Sequence, residues 1–180
     1  NGDEITVGET ARRGLGWNDK VLARFKRDMG TSETYKVGSK EFTPTECSVF
    51  ILKKLLADAK AQIGEVGEAV VTIPANFTNE ARVETLTAAK LAGLNVKNIV
   101  NEPTAAALYY VFQSGGKLNG NFAVYDLGGG TFDISIIQVV NQDVTVLASE
   151  GVKKLGGDDF DAALQEIVKK RYKDASGEDL

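Results

Sequence analysis

The chain has 180 residues, 43% of them hydrophobic and 26% charged, with a net charge of −4. Such a composition suits a globular chain with one good core or parts of two, and its acidic balance argues against an extended nucleic-acid surface. The absence of histidine removes Ser-His-Asp, Cys-His and His-zinc chemistry, and the single cysteine, Cys47, excludes an internal disulfide and fits a reducing cytoplasm.

The chain opens on Asn1 and its one methionine is Met29, so a piece of a longer protein is expected. The first forty residues are polar and mixed. Lys20–Gly30 reads as a short helix with Val21, Leu22 and Phe25 on one face, and ETYKVGSKEFT as a hairpin turning near Gly38-Ser39. Thr43 as cap, Pro44 at the first helical position and Glu46 closing a capping box open a long amphipathic helix. EAVVTIPA predicts a buried strand stopped by Pro74. A helix follows, capped by Thr78 and ending near Gly93, then a short strand VKNIVNE. EPTAAALYYVF begins a further helix, and SGGKLNGN is the clearest loop. Strands FAVYDL, FDISIIQVV and VTVLASE come next, with a turn at Asn141-Gln142-Asp143 between the last two. LGGDDFDAALQEIVKKRY is a loop feeding a helix that Asp158 can cap. The order predicts an α/β fold with mixed sheets and flanking helices.

The stretch AVYDLGGGTFDISII sets three glycines between two strands, with Asp126 before them and Thr131 and Asp133 after. Glycine accepts positive φ, and successive glycines can aim their N–H groups to one side as an anion nest. Thr131 adds a hydroxyl donor, and Asp126 can hold a hydrated Mg²⁺. A sharp hairpin turn is the plainer reading, but two-residue turns need at most two glycines. A third costs chain entropy without helping the turn, so phosphate binding fits better. The spacing fits neither a P-loop nor a dinucleotide fingerprint, since the glycines lead into a strand and not a helix.

YDLGGGTFDISII resembles the second phosphate motif of the superfamily of actin, hexokinase and the 70-kilodalton heat-shock chaperones. Three further stretches resemble the chaperone branch of DnaK type: NEPTAAAL at 101–108, VVTIPANFTNEAR at 70–82 and LGGDDFD at 155–161. The resemblance runs from about Val21 to the C-terminus. It implies partial actin-like (ribonuclease H-like) ATPase lobes, with residues 1–66 as an outer subdomain of the first lobe, 67–118 as core of that lobe and 119–180 as the start of the second. It also implies ATP/ADP and Mg²⁺ as ligands and hydrolysis that controls unfolded-polypeptide binding in a separate C-terminal domain. A J-domain co-chaperone, a nucleotide exchange factor and a cytoplasmic location follow from it, with no nucleic-acid or membrane partner.

By motif position, the resemblance assigns Gly128, Gly129, Gly130 and Thr131 to the β- and γ-phosphates, gives Thr131 a catalytic part as well, and counts Gly156 and Gly157 in the loop that follows among the nucleotide-binding residues. Glu102 and Asp126 would hold Mg²⁺ through its water shell and help order the attacking water, supported by Asp133. Lys26 would reach the γ-phosphate and water. Pro74 and Arg82 would relay nucleotide state. Each has a plainer reading: a solvated lysine, an acid favouring a helix dipole, a strand-ending proline, a surface arginine. The family's first phosphate turn is expected ahead of Asn1, and the adenosine pocket beyond Leu180. A filament-forming bacterial actin and an actin-fold small-molecule kinase are the competing readings.

Overall fold

The computed structural model describes residues 4–152 and 154–180. In chain order it has α1 (Glu9–Arg12), a 3-10 turn (Phe25–Asp28), the hairpin β1 (Tyr35–Val37) and β2 (Lys40–Phe42), then α2 (Pro44–Ile63), β3 (Ala69–Ile73), α3 (Asn79–Leu91) and β4 (Val96–Asn101). After these come α4 (Glu102–Gln113), β5 (Gly120–Leu127), β6 (Phe132–Val140), β7 (Asp143–Val152) and α5 (Gly157–Ser176). The α/β class is as expected. The parallel pair β3-β4 and the antiparallel groups β1-β2 and β5-β6-β7 form separate sheets among the described residues. The chain divides inside α4, between Ala105 and Ala106, into two compact units.

In the first unit, the signals at the starts of α2 and α3 work as read. The Thr43 hydroxyl accepts from the Glu46 N–H, and the Glu46 carboxylate accepts from the Thr43 N–H at 2.8 Å. The Thr78 hydroxyl accepts from the Ala81 N–H at 3.2 Å. These bonds satisfy N–H groups that a helix start otherwise leaves open, each worth about 1 kcal/mol. α3 turns its alanines inward: Ala81 and Ala88, with Ala92 just past its end, pack with Met29 and Val49, flanked by Leu52 and Phe77. Small side chains there let α3 lie close to α2.

Two expectations fail in this unit. The helix expected over Lys20–Gly30 is only the four-residue turn Phe25–Asp28, because Arg24 stands at φ 67°, a left-handed conformation that interrupts a right-handed helix. The strand β3 is not buried throughout: with β4 as its one partner among the described residues, Val70 stays 59% exposed while Ile73 is enclosed.

Cys47 is buried on α2. Burial, and then the charge of Glu46, push its thiol from 9.0 up to about 11. Because the folded value lies above the unfolded one, this thiol's contribution to stability is complete below pH 9 and lost as pH rises towards 11. At pH 8 the folded chain should hold about a hundredfold less thiolate than the unfolded one. Ellman's reagent should therefore react slowly in buffer and promptly in denaturant. Prompt reaction in buffer would mean that the site is open.

In the second unit, β6 alternates strictly. Asp133, Ser135, Ile137 and Val139 are buried, while Ile134, Ile136 and Val140 face out. Ala107 and Val111 of α4 cover Ile137 and Val139, with Phe122, Val124, Val144 and Val146 packed around them. Asn141 and Gln142, at φ 50° and 74°, make the two-residue turn between Val140 and Asp143. Its primed geometry matches the strand twist.

Candidate functional site

The first unit carries one constellation from the expected set. Glu102 is the first residue of α4, where β4 ends. Its carboxylate lies 2.8 Å from the Lys26 ammonium, on a turn 76 residues earlier. The glutamate side chain is 23% exposed and that of the lysine 57%. Pro74 is fully buried just after β3, and its carbonyl accepts from the Phe77 N–H at 3.2 Å. Arg82 lies exposed in the first turn of α3.

The Lys26 turn is held at both ends. Gly30, at φ 79°, lies so close to α3 that a Cβ there would sit 2.4 Å from the Ala81 nitrogen. Only glycine permits both the conformation and the approach. Nearer the lysine, the Tyr35 hydroxyl donates to the Asp28 carboxylate. The phenol's pKa is pushed well above its ordinary value, first by burial and then by that hydrogen bond and the Asp28 charge.

The second constellation is the glycine turn. β5 and β6 pair with Asp126 opposite Asp133 and Leu127 opposite Phe132, leaving a four-residue turn closed by the Gly128 N–H donating to the Thr131 carbonyl at 3.0 Å. Asp126 is exposed and Asp133 only 5% exposed. The glycines are not there for positive φ, contrary to expectation, since none of the three adopts it. Close approach explains a different glycine, Gly156, which packs onto the turn, while Gly128 and Gly129 have room for a Cβ. A Cβ on Gly156 would lie 2.6 Å from the Gly129 carbonyl carbon and the Gly130 nitrogen. The carbonyls of Gly128 and Gly129 accept from the N–H groups of Gly157 and Asp158, at 3.0 and 2.9 Å. The first turn of α5 is thus seated on the glycine turn.

The expected capping role of Asp158 is likewise overturned. Gly156 occupies the cap position, without a side-chain bond, and Asp158 lies inside the helix. Turn carbonyls do the work that a capping side chain would do. With the carbonyls so engaged, the N–H groups of Gly129 and Gly130 donate to no backbone carbonyl among the described residues. Those donors beside the Thr131 hydroxyl suit an anion such as phosphate.

Among the described residues, no cluster of three acid, cysteine or histidine side chains could cage a metal. Glu102 belongs to the first unit and Asp126 and Asp133 to the second.

The family model described as Hsp70 protein matches residues 17–180. The chain belongs to the Hsp70 family. The chaperone protein DnaK of Thermotoga neapolitana and that of Thermotoga maritima are each 46% identical over 179 residues, 98% of this chain. DnaK of Mycoplasma mobile is 48% identical over 168 residues, 93% of this chain. The chain spans 30% of the length of the Thermotoga relatives and 27% of that of the Mycoplasma one. Membership in the Hsp70 family bears out the resemblance drawn from the four motifs, and the filament and small-molecule kinase readings are not favoured. No described helix is long and apolar enough to cross a membrane.

Sequence reasoning missed Tyr35, Asp28 and Gly30 as supports of the Lys26 turn. Asp28 and Gly30 lie two and four residues from Lys26, but only the fold brings Tyr35 and Ala81 to them.

Proposed function

We propose that this chain is the central part of the ATPase domain of a cytoplasmic, ATP-dependent chaperone, whose hydrolysis of ATP controls the grip of a C-terminal domain on unfolded polypeptides. The observation that carries this reading is the Lys26–Glu102 pair, 2.8 Å apart and 76 residues distant in sequence, made by two residues that the motifs single out independently. Lys26 orients the attacking water and the γ-phosphate. Gly128, Gly129, Gly130 and Thr131 offer N–H and hydroxyl donors to the β- and γ-phosphates, and Gly156 and Gly157 join them in binding the nucleotide. Glu102 and Asp126, with Asp133 behind, hold the water shell of Mg²⁺, which neutralises phosphate charge when bound. Pro74 and Arg82 relay nucleotide state towards the polypeptide-binding domain. A J-domain co-chaperone and an exchange factor set the pace of the cycle. Residues 1–66 form the outer subdomain of the first lobe, 67–118 its core, and 119–180 the start of the second lobe.

Phosphate release from Mg-ATP by the full-length protein tests this reading, and stimulation by an unfolded polypeptide and a J-domain is the expected result. Absence of hydrolysis under all these conditions would overturn it. The 180-residue chain alone is expected to fold but to bind Mg-ATP no more tightly than about millimolar. A triphosphate gripped on one face must still overcome several kcal/mol of lost freedom, and charges in open solvent repay little of it. Micromolar binding in isothermal titration would show that the chain already holds a complete site.

A further inference from the structure

We infer that Tyr35 is a positioning residue for hydrolysis, acting through Asp28 to hold the turn that sets the Lys26 ammonium against Glu102. The inference rests on the reading of Lys26 given above. Its starting point is a mismatch between the pair's geometry and its strength. With the lysine side chain 57% exposed, the ion pair is too weak to fix its own geometry against solvent and side-chain entropy. The backbone beneath Lys26 must therefore be set by other contacts.

That backbone is also not self-stabilising. It is a four-residue 3-10 turn entered through a left-handed arginine, Arg24, at φ 67°. Two anchors hold its C-terminal end. One is Gly30 against the start of α3, with Met29 buried in the α2–α3 core. The other is Asp28, the last residue of the turn, which takes the Tyr35 hydroxyl on its carboxylate and the Thr31 hydroxyl on its carbonyl at 2.7 Å. Tyr35 is itself fixed. It pairs with Phe42 across the hairpin, and the Phe42 ring meets Phe50 of α2 edge-on at 5.9 Å between centroids. A continuous path therefore runs from the rigid helix α2 through Phe50, Phe42, Tyr35 and Asp28 to the turn bearing Lys26. Misplacing a catalytic group by about 1 Å can cost up to about 100-fold in rate, so even a slight loosening of this turn should register.

The test is a double-mutant cycle in the full-length protein, read by single-turnover ATP hydrolysis and by Mg-ADP affinity. Tyr35→Phe keeps the ring and its packing and removes only the donor. It is expected to slow hydrolysis about tenfold with Mg-ADP affinity unchanged, and to add no further loss in a Lys26→Ala background. Asp28→Asn, which keeps an oxygen acceptor, is expected to retain most of the rate, and Asp28→Ala to match Tyr35→Phe. Equal losses from Tyr35→Phe with and without Lys26 would overturn the inference, because a general structural defect would act in both backgrounds. A slow Lys26→Ala beside an unimpaired Tyr35→Phe would overturn this inference alone. An unimpaired Lys26→Ala would remove the role of Lys26 and this inference with it.

Discussion

Glu102→Ala and Asp126→Asn should each slow single-turnover ATP hydrolysis by the full-length protein on the order of 10²–10³-fold, while Mg-ADP affinity changes little. Phosphoryl transfer asks little covalent chemistry of a protein, so its rate depends on where charges and the attacking water are held. Glu102 is fixed from two directions: by its place at the junction of β4 and α4, and by Lys26 at 2.8 Å. Removing the carboxylate takes away one charge and unpairs another. Asp126 stands one residue before the end of β5, paired in register with Asp133, so its position is set by the sheet and not by a flexible loop. Asn preserves its shape and removes only the charge, so a loss in Asp126→Asn reports electrostatics. The expected range corresponds to about 2.7–4 kcal/mol of transition-state stabilisation. Rates within about threefold of the parent for either variant would take that residue out of the mechanism.

What the sequence made legible was local. The capping signals at Thr43 and Thr78 and the turn at Asn141-Gln142 act over a few residues, and each appears in the structure where it was read. The misreadings arose where distant segments decide. Apolar spacing at Val21, Leu22 and Phe25 suggested a helix, but Met29 is drawn into the α2–α3 core and Gly30 onto Ala81, and the chain between bends to reach them. Asp158 looked like a cap because an acid before an apolar run usually is one. Its segment instead meets the carbonyls of Gly128 and Gly129, about thirty residues earlier in the chain, which no window of sequence reveals. The pairing of Lys26 with Glu102 was not visible in spacing either, and the two residues were singled out only through separate motif resemblances.

Gly156→Ala and Gly129→Ala should fail in opposite ways, and the contrast tests what the triple glycine is for. Gly156 has extended backbone, at φ −176°, which any residue can adopt, so conformational strain plays no part there. Its added Cβ would instead lie 2.6 Å from the Gly129 carbonyl carbon and the Gly130 nitrogen and 2.7 Å from the Gly128 oxygen. All three are backbone atoms of a turn clamped between two paired strands, so none can swing aside. The start of α5 must lift away, stretching the two hydrogen bonds that seat Gly157 and Asp158 on the turn. Overpacking and two weakened hydrogen bonds together should cost about 3 kcal/mol or more. Gly129 has room where Gly156 has none. Nothing lies within 4 Å of a Cβ built on it, and its φ is not positive, so Gly129→Ala should leave stability nearly unchanged. If the N–H groups of Gly129 and Gly130 receive phosphate, a methyl on the carbon between them should crowd the bound phosphate. Mg-ADP affinity should then fall on the order of tenfold or more, because ligand oxygens lose donors that water cannot replace in the same geometry. Urea denaturation and nucleotide titration on both variants of the full-length protein separate the two effects. A Gly129→Ala protein that is as stable as the parent and binds Mg-ADP equally well would show that the phosphates do not sit on this turn.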